Sequence, residues 1–121
     1  MRMRLSALVG QHRVEVLASY KRTAPYEMVL AFGDVSWVLG RELFGEGLRT
    51  GQAGAGDVRV TARGDLVVLG LSTPDGTGSA ILRRDDVEQL VRATYLVVPA
   101  GRESESLDWS GLVQFPGVSS R

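Results

Sequence analysis

The 121-residue sequence contains no cysteine, one histidine (His12) and one lysine. The absence of cysteine excludes disulfides, thiolate metal sites and cysteine nucleophiles. A single histidine, placed in a predicted turn, cannot build a histidine or cysteine metal site, and no serine or carboxylate is marked as its catalytic partner. The sequence therefore predicts neither an enzyme nor a bound cofactor or metal.

Net charge and long apolar runs are also missing. The fourteen basic and fourteen acidic residues cancel, so no overall field favours nucleic acid or an anionic membrane. No apolar run approaches the length of a signal-peptide core or a membrane span, and we expect a cytoplasmic protein. A hydrophobic content of 44% predicts one folded domain over 1–115, followed by a flexible tail over 116–121.

Apolar and polar residues alternate over 3–9 and again over 14–20, which predicts a β-hairpin with its turn at Gly10 and Gln11. Strands and helices do not alternate regularly along the chain. This order of elements favours an α+β fold with a mostly antiparallel sheet of about seven strands. Further strands are predicted at 26–32, 35–39, 57–62, 65–72 and 79–83. Helices are predicted at 40–48, ending at Gly45 or Gly47, from Asp85 to before Pro99, and as one last turn that packs Leu107, Leu112 and Val113.

The segment from Phe44 to Val60 is rich in glycine, a composition also found in phosphate-binding loops. In such loops a strand precedes the glycines and a helix follows, so that backbone amides at the helix N-terminus face the anion. Here the order is reversed, and no Gly-Lys-Ser or Gly-Lys-Thr occurs. We therefore interpret the segment as a flexible connection from helix to strand.

Two clusters of charged residues can be explained by structure alone, without a binding or catalytic role. Asp85, Asp86 and Glu88 stand where the start of a helix favours negative charge. The first 22 residues carry five basic side chains against Glu15, but only Tyr20 could stack on a nucleic-acid base there. A solvated sheet edge or an oligomer interface explains these charges equally well.

Several motifs, in the same order, resemble the SsgA-like proteins of sporulating actinomycetes. They are "PYEMVLAF", "SWVLGRELFGEGL", "GAGDVRV", "LVVLGLSTPDGTGSAIL" and "VVPAG". The resemblance covers about Tyr26 to Phe115, and the shortage of lysine, typical of GC-rich coding sequence, agrees with such a source.

The resemblance implies a strongly curved, whirly-like antiparallel sheet with one long and one or two short helices, assembled as a trimer. It implies a non-enzymatic adaptor at division septa that recruits or positions the FtsZ ring, or assists a sister SsgA-like protein. A single-stranded nucleic-acid-binding module is the alternative, since whirly folds bind such strands.

Matching of individual residues to the family is limited to two segments. Trp37, Leu43 and Phe44 would pack inward from the segment containing the short helix. The candidate partner-binding residues are outward charges of that helix and of the strand after it: Arg41, Glu42, Glu46, Asp57 and Arg59.

Overall fold

The computed structural model of the protein describes residues 1–106, apart from the side chain of Thr73. The predicted last helical turn with Leu107, Leu112 and Val113 lies outside the described residues. So does the predicted tail over 116–121. The boundary that we place at residue 115 therefore stays a prediction.

The described residues form eight strands and two α-helices, and all strand pairs are antiparallel. The architecture confirms the predicted α+β class, and the hairpin turn falls at Gly10 and Gln11 as predicted. The strands are β1 (Arg2–Val9), β2 (His12–Ser19), β3 (Glu27–Phe32), β4 (Val35–Gly40), β5 (Gln52–Ala55), β6 (Val58–Arg63), β7 (Leu66–Thr73) and β8 (Gly76–Arg83). The helices are α1 (Arg41–Thr50) and α2 (Arg84–Val97), and a 3-10 turn spans Glu103–Ser106.

The strands form one sheet in the order β4-β3-β2-β1-β8-β7-β6-β5, so that β4 and β5 lie at opposite edges. Helix α1 follows β4 directly and leads into β5. Its ten residues are about 15 Å long, whereas the edges of a flat eight-stranded sheet are about 34 Å apart. The sheet therefore curls until its two edges approach each other, and it forms a half-barrel.

The core fills the inner, concave face of this half-barrel. Alternate residues of each strand point inward and are buried, while their neighbours point to solvent. Helices α1 and α2 add their apolar faces to the same core. Its largest buried apolar side chains are Tyr20, Met28, Leu30, Phe44, Leu69, Leu82, Leu90, Val16, Val60, Val67 and Val87.

Two predictions in the glycine-rich segment were wrong. The segment is not only a connection, since residues Gln52–Ala55 form the additional strand β5, which pairs with β6. The strand was not predicted, because its glycine and alanine residues show almost no hydrophobic alternation. Helix α1 also continues past Gly45 and Gly47 and ends at Thr50, where Gly51 adopts φ 93°, a left-handed conformation that favours glycine.

Candidate partner-binding surface

Helix α1 carries three of the predicted partner-binding residues, and the structure separates them. Glu42 and Glu46 are exposed, as predicted. Arg41 is fully buried, and our expectation that it points outward was wrong. It stands three residues before Phe44, so both side chains lie on the inward face of the helix. The sequence shows this spacing, but we predicted an outward orientation because arginine is positively charged.

The Arg41 guanidinium caps the C-terminal end of α2. Its Nη1 donates hydrogen bonds to the carbonyl oxygens of Thr94, at 3.2 Å, and Val98, at 2.6 Å. The last carbonyls of a helix have no partner within the helix and carry partial negative charge. Helix α2 has no basic residue in its own last turn. Arg41 supplies that missing charge from α1.

The remaining contacts of Arg41 include one to the segment that follows α2 and two to aromatic rings. Its Nη2 donates to Glu103 Oε2 at 2.8 Å, and both side chains are almost entirely buried. The guanidinium carbon lies 3.9 Å from the ring centre of Tyr95 and 5.4 Å from that of Tyr20, within the range of cation–π attraction. Sequence reasoning missed Glu103 and Tyr95 as partners, because neither lies near Arg41 along the chain.

Two ionisable groups in this cluster have shifted pKa values. A hydrogen bond from its own backbone amide, assisted by Arg41 and by the amide of Gly101, lowers the pKa of Glu103. Burial raises the pKa of Tyr20, whose hydroxyl donates to the Pro25 carbonyl at 2.7 Å. The cluster thus holds an ionised carboxylate and a neutral phenol. The ionised carboxylate of Glu103 is the partner of Arg41 in a buried ion pair.

Three of the other predicted residues meet at a cleft of about 840 Å³ beside the β5–β6 hairpin. Glu46, Asp57 and Arg59 all line it. Arg59 is exposed on β6 as predicted, whereas Asp57 lies in the turn before that strand rather than on it. Glu42 does not line this cleft. Participation of these four exposed residues in partner binding stays a prediction.

A second cleft, of about 340 Å³, opens on the inner face and is mainly apolar. Phe32 and Trp37 line it from β3 and β4, and Gly78 lines it from β8. Trp37 is half-buried and packs against the core, as do Leu43 and Phe44, which confirms the predicted packing role of all three.

The outer face of the sheet concentrates positive charge. Strand register places six arginines on it against two glutamates, Glu15 and Glu27. Among the described residues, only Arg4 of these arginines has an ion-pair partner, the exposed Glu15 at 3.7 Å. A chain without net charge therefore presents one strongly basic surface. The six arginines are Arg2, Arg4, Arg13, Arg59, Arg63 and Arg83.

Residues 1–106 offer neither a metal-binding cluster nor a membrane-spanning helix. No group of three or more histidine, aspartate or glutamate residues within 1–106 is arranged to hold a metal ion. No helix in this part of the chain is long and apolar enough to cross a membrane.

Comparison with protein families gives one clear match. The profile of the family described as "Streptomyces sporulation and cell division protein, SsgA" matches residues 14–103, well over half of the chain. The chain belongs to the SsgA family. This result confirms the resemblance drawn from the sequence motifs, and it extends the match into the β1–β2 hairpin.

Curated relatives of this SsgA-family chain are named sporulation-specific cell division protein SsgB. The SsgB of Salinispora tropica is 49% identical over 78 residues, which are 61% of this chain and 54% of that protein. The SsgB of Kineococcus radiotolerans is 41% identical over 66% of this chain and 52% of that protein. The chain thus spans about half the length of these two relatives. The SsgB of Frankia casuarinae is 34% identical over 78% of the chain and 72% of its own length.

Solved structures agree on the SsgA-family fold. An SsgA-like sporulation-specific cell division protein of Thermobifida fusca superimposes with a TM-score of 0.76 at 26% identity, over 94% of this chain and 93% of that one. A Streptomyces coelicolor structure, from work relating SsgB mutations to longitudinal cell division during sporulation, has a TM-score of 0.74. It is 29% identical and covers 85% of this chain and 90% of its own.

Proposed function

We propose that this SsgA-family chain is a non-enzymatic adaptor of sporulation-specific cell division that recruits or positions the FtsZ ring at septum sites. The relatives are named sporulation-specific cell division proteins, which supports a role of this chain in that process. The observation that supports an adaptor is the large outer sheet face, on which residues 1–106 expose arginines and apolar side chains to solvent.

The proposed partners are FtsZ and sister SsgA-like proteins, and the proposed location is the cytoplasmic side of division septa. We further propose that the chain assembles with itself, as a trimer. Light scattering after gel filtration tests the assembly, since a trimer has three times the 13.1 kDa mass of one chain. A particle of one chain's mass contradicts it.

Binding to FtsZ is tested with purified proteins. The chain is immobilised, and FtsZ from the same organism is passed over it with GDP and then with GTP. The adaptor hypothesis predicts saturable binding in at least one nucleotide state. The control surface carries an unrelated folded protein of similar mass and zero net charge, which lacks this sheet face. Equal retention on both surfaces, or none, rejects direct recruitment.

The alternative of single-stranded nucleic-acid binding has less support. The outer face carries arginines, but no strand residue on it within the described part of the chain is aromatic. Sequence-tolerant binding of single strands relies on stacking of bases on aromatic side chains. Fluorescence anisotropy with a labelled single-stranded oligonucleotide at low salt decides the matter, since binding through phosphates is strongest there.

A further inference from the structure

An apolar band crosses the outer face at the centre of the sheet. Leu8 of β1 lies opposite Ile81 of β8, and Ile81 lies opposite Val68 of β7. Leu66 is two residues from Val68 on the same strand and thus on the same face. The band is exposed, since Leu8 is 40%, Leu66 47% and Val68 36% accessible.

Arginines border this band on both sides, and the strand register fixes their positions. Arg13 lies opposite Leu8 on β2. Leu66 lies between Arg83 of β8 and Arg63 of β6, its direct neighbours on either side. We name this surface the arginine-framed patch. It consists of Leu8, Leu66, Val68 and Ile81 with Arg13, Arg63 and Arg83.

The three framing arginines are available to a partner. All are exposed, and within the described residues none is within 4 Å of a carboxylate. By contrast, three of the four ion pairs in this part of the chain hold arginines elsewhere: Arg41, Arg84 and Arg102. The patch thus combines unneutralised positive charge with exposed apolar surface, a combination that marks an interaction site rather than a solvated sheet face.

The chemistry of the patch favours a polypeptide over nucleic acid. Leucine, isoleucine and valine provide no ring on which a base could stack. They do match the aliphatic side chains of a protein segment, while arginine binds carboxylates through two parallel hydrogen bonds. From β2 to β6 the patch spans about 19 Å, the length of about six extended residues.

We propose that the arginine-framed patch is the docking surface for an acidic segment of a partner protein, in which carboxylate side chains flank aliphatic ones. This inference rests on the proposed adaptor function for its biological setting, but not for its chemistry. The aliphatic side chains of the segment cover the band, and its carboxylates pair with Arg13, Arg63 and Arg83.

The direct test uses a synthetic probe rather than FtsZ. A fluorescein-labelled peptide of about twelve residues, long enough to span the patch twice when extended, carries glutamates on both sides of a central run of leucine and valine. One control peptide replaces the glutamates by glutamine, and a second replaces the aliphatic residues by serine. We expect the first peptide to bind about tenfold or more tightly than either control, a difference of about 1.4 kcal/mol, and to weaken as salt shortens the Debye length.

Variants locate the binding on the patch. Arg13→Gln/Arg63→Gln/Arg83→Gln removes the frame. Leu8→Thr/Leu66→Thr removes two of the band's four apolar side chains and replaces them by β-branched residues, which favour strands. The controls remove the same types of side chain from exposed sites outside the patch: Arg22→Gln/Arg49→Gln/Arg92→Gln for the arginines, and Leu96→Gln on α2 for the leucines. We expect each patch variant to lose about tenfold or more in affinity, with the controls unchanged and all thermal midpoints alike.

Four results overturn the proposal. One is equal binding of the three peptides, and another is equal loss of affinity in patch and control variants. The third is a lower particle mass for the patch variants in light scattering, which would assign the patch to contacts between copies of this chain. Tighter binding of a single-stranded oligonucleotide than of the acidic peptide also counts against it. If the peptide binds the patch but FtsZ does not bind the chain, the proposed function fails and this inference stands.

Discussion

Arg41 and Glu103 form a buried ion pair that joins the start of α1 to the 3-10 turn after α2, with 2.8 Å between Nη2 and Oε2. The two residues are 62 positions apart in the sequence. Because Arg41 also caps the carbonyls at the end of α2, one side chain fixes the relative placement of both helices on the concave sheet.

Arg41→Met should destabilise the fold strongly. The substitution keeps most of the side-chain volume but leaves Glu103 and two helix-end carbonyls buried without their partner, and loss of one member of a buried ion pair costs about 3 to 5 kcal/mol. Urea unfolding followed by circular dichroism measures the change. The control is Arg102→Gln, which breaks an exposed arginine–glutamate pair. Equal destabilisation by the two variants would contradict the central role of Arg41.

The stacking of Arg41 on Tyr95 should contribute separately. Tyr95→Leu removes the aromatic face 3.9 Å from the guanidinium carbon, and we expect it to lower the free energy of unfolding by about 1 to 2 kcal/mol. Tyr95→Phe keeps the ring and should change it far less. The same urea titration compares the two variants. If phenylalanine and leucine are equally destabilising, cation–π attraction is not the source of the effect.

Stability should fall in acid through Glu103. In the folded state the pKa of Glu103 lies below the usual 4.5, so the unfolded state binds the proton more readily. The stabilisation by the carboxylate is therefore complete above about pH 4.5 and is lost as pH falls through the lower, folded pKa. The difference in thermal midpoint between wild type and Glu103→Gln should shrink between pH 7 and pH 3.5. A difference that stays constant with pH refutes the assignment.

Close packing of α1 on the sheet can be tested at its glycines. A Cβ on Gly47 would lie 2.6 Å from Cγ1 of Val60, whereas a Cβ on Gly45 would meet nothing within 4 Å. Gly47→Ala should cost about 1 to 3 kcal/mol by overpacking. Gly45→Ala, the matched control in the same helix, should add up to about 1 kcal/mol by helix propensity. Calorimetry compares both. If the clash is with Val60, Gly47→Ala should cost much less in a Val60→Ala background than in the wild type, and an equal cost in both backgrounds would contradict it.

The sequence predicted the elements with strong hydrophobic periodicity. The β1–β2 hairpin and α2 lie where alternation and three-to-four spacing placed them. Strand β5 was not predicted, because its glycine and alanine residues give no such periodicity. The order of strands in the sheet was not predictable either, since β1 pairs with β8 through contacts between distant parts of the chain.

The candidate site was predicted less well, for a different reason. Charged residues on a short helix were assumed to face solvent, which holds for Glu42 and Glu46 but fails for Arg41. Burial of an arginine requires partners that only tertiary structure provides, here Glu103 and the end of α2. Likewise, the arginine-framed patch exists only in the folded sheet, because its members come from five strands.

The most direct test of the adaptor proposal is sedimentation of FtsZ polymers formed with GTP, in the presence and absence of this chain. We predict that the wild-type chain pellets with the polymers and increases their sedimented mass. Leu8→Thr/Leu66→Thr should lose this effect, and Leu96→Gln should retain it. A sedimented FtsZ mass that the wild-type chain leaves unchanged, with the chain remaining in the supernatant, would contradict the proposal.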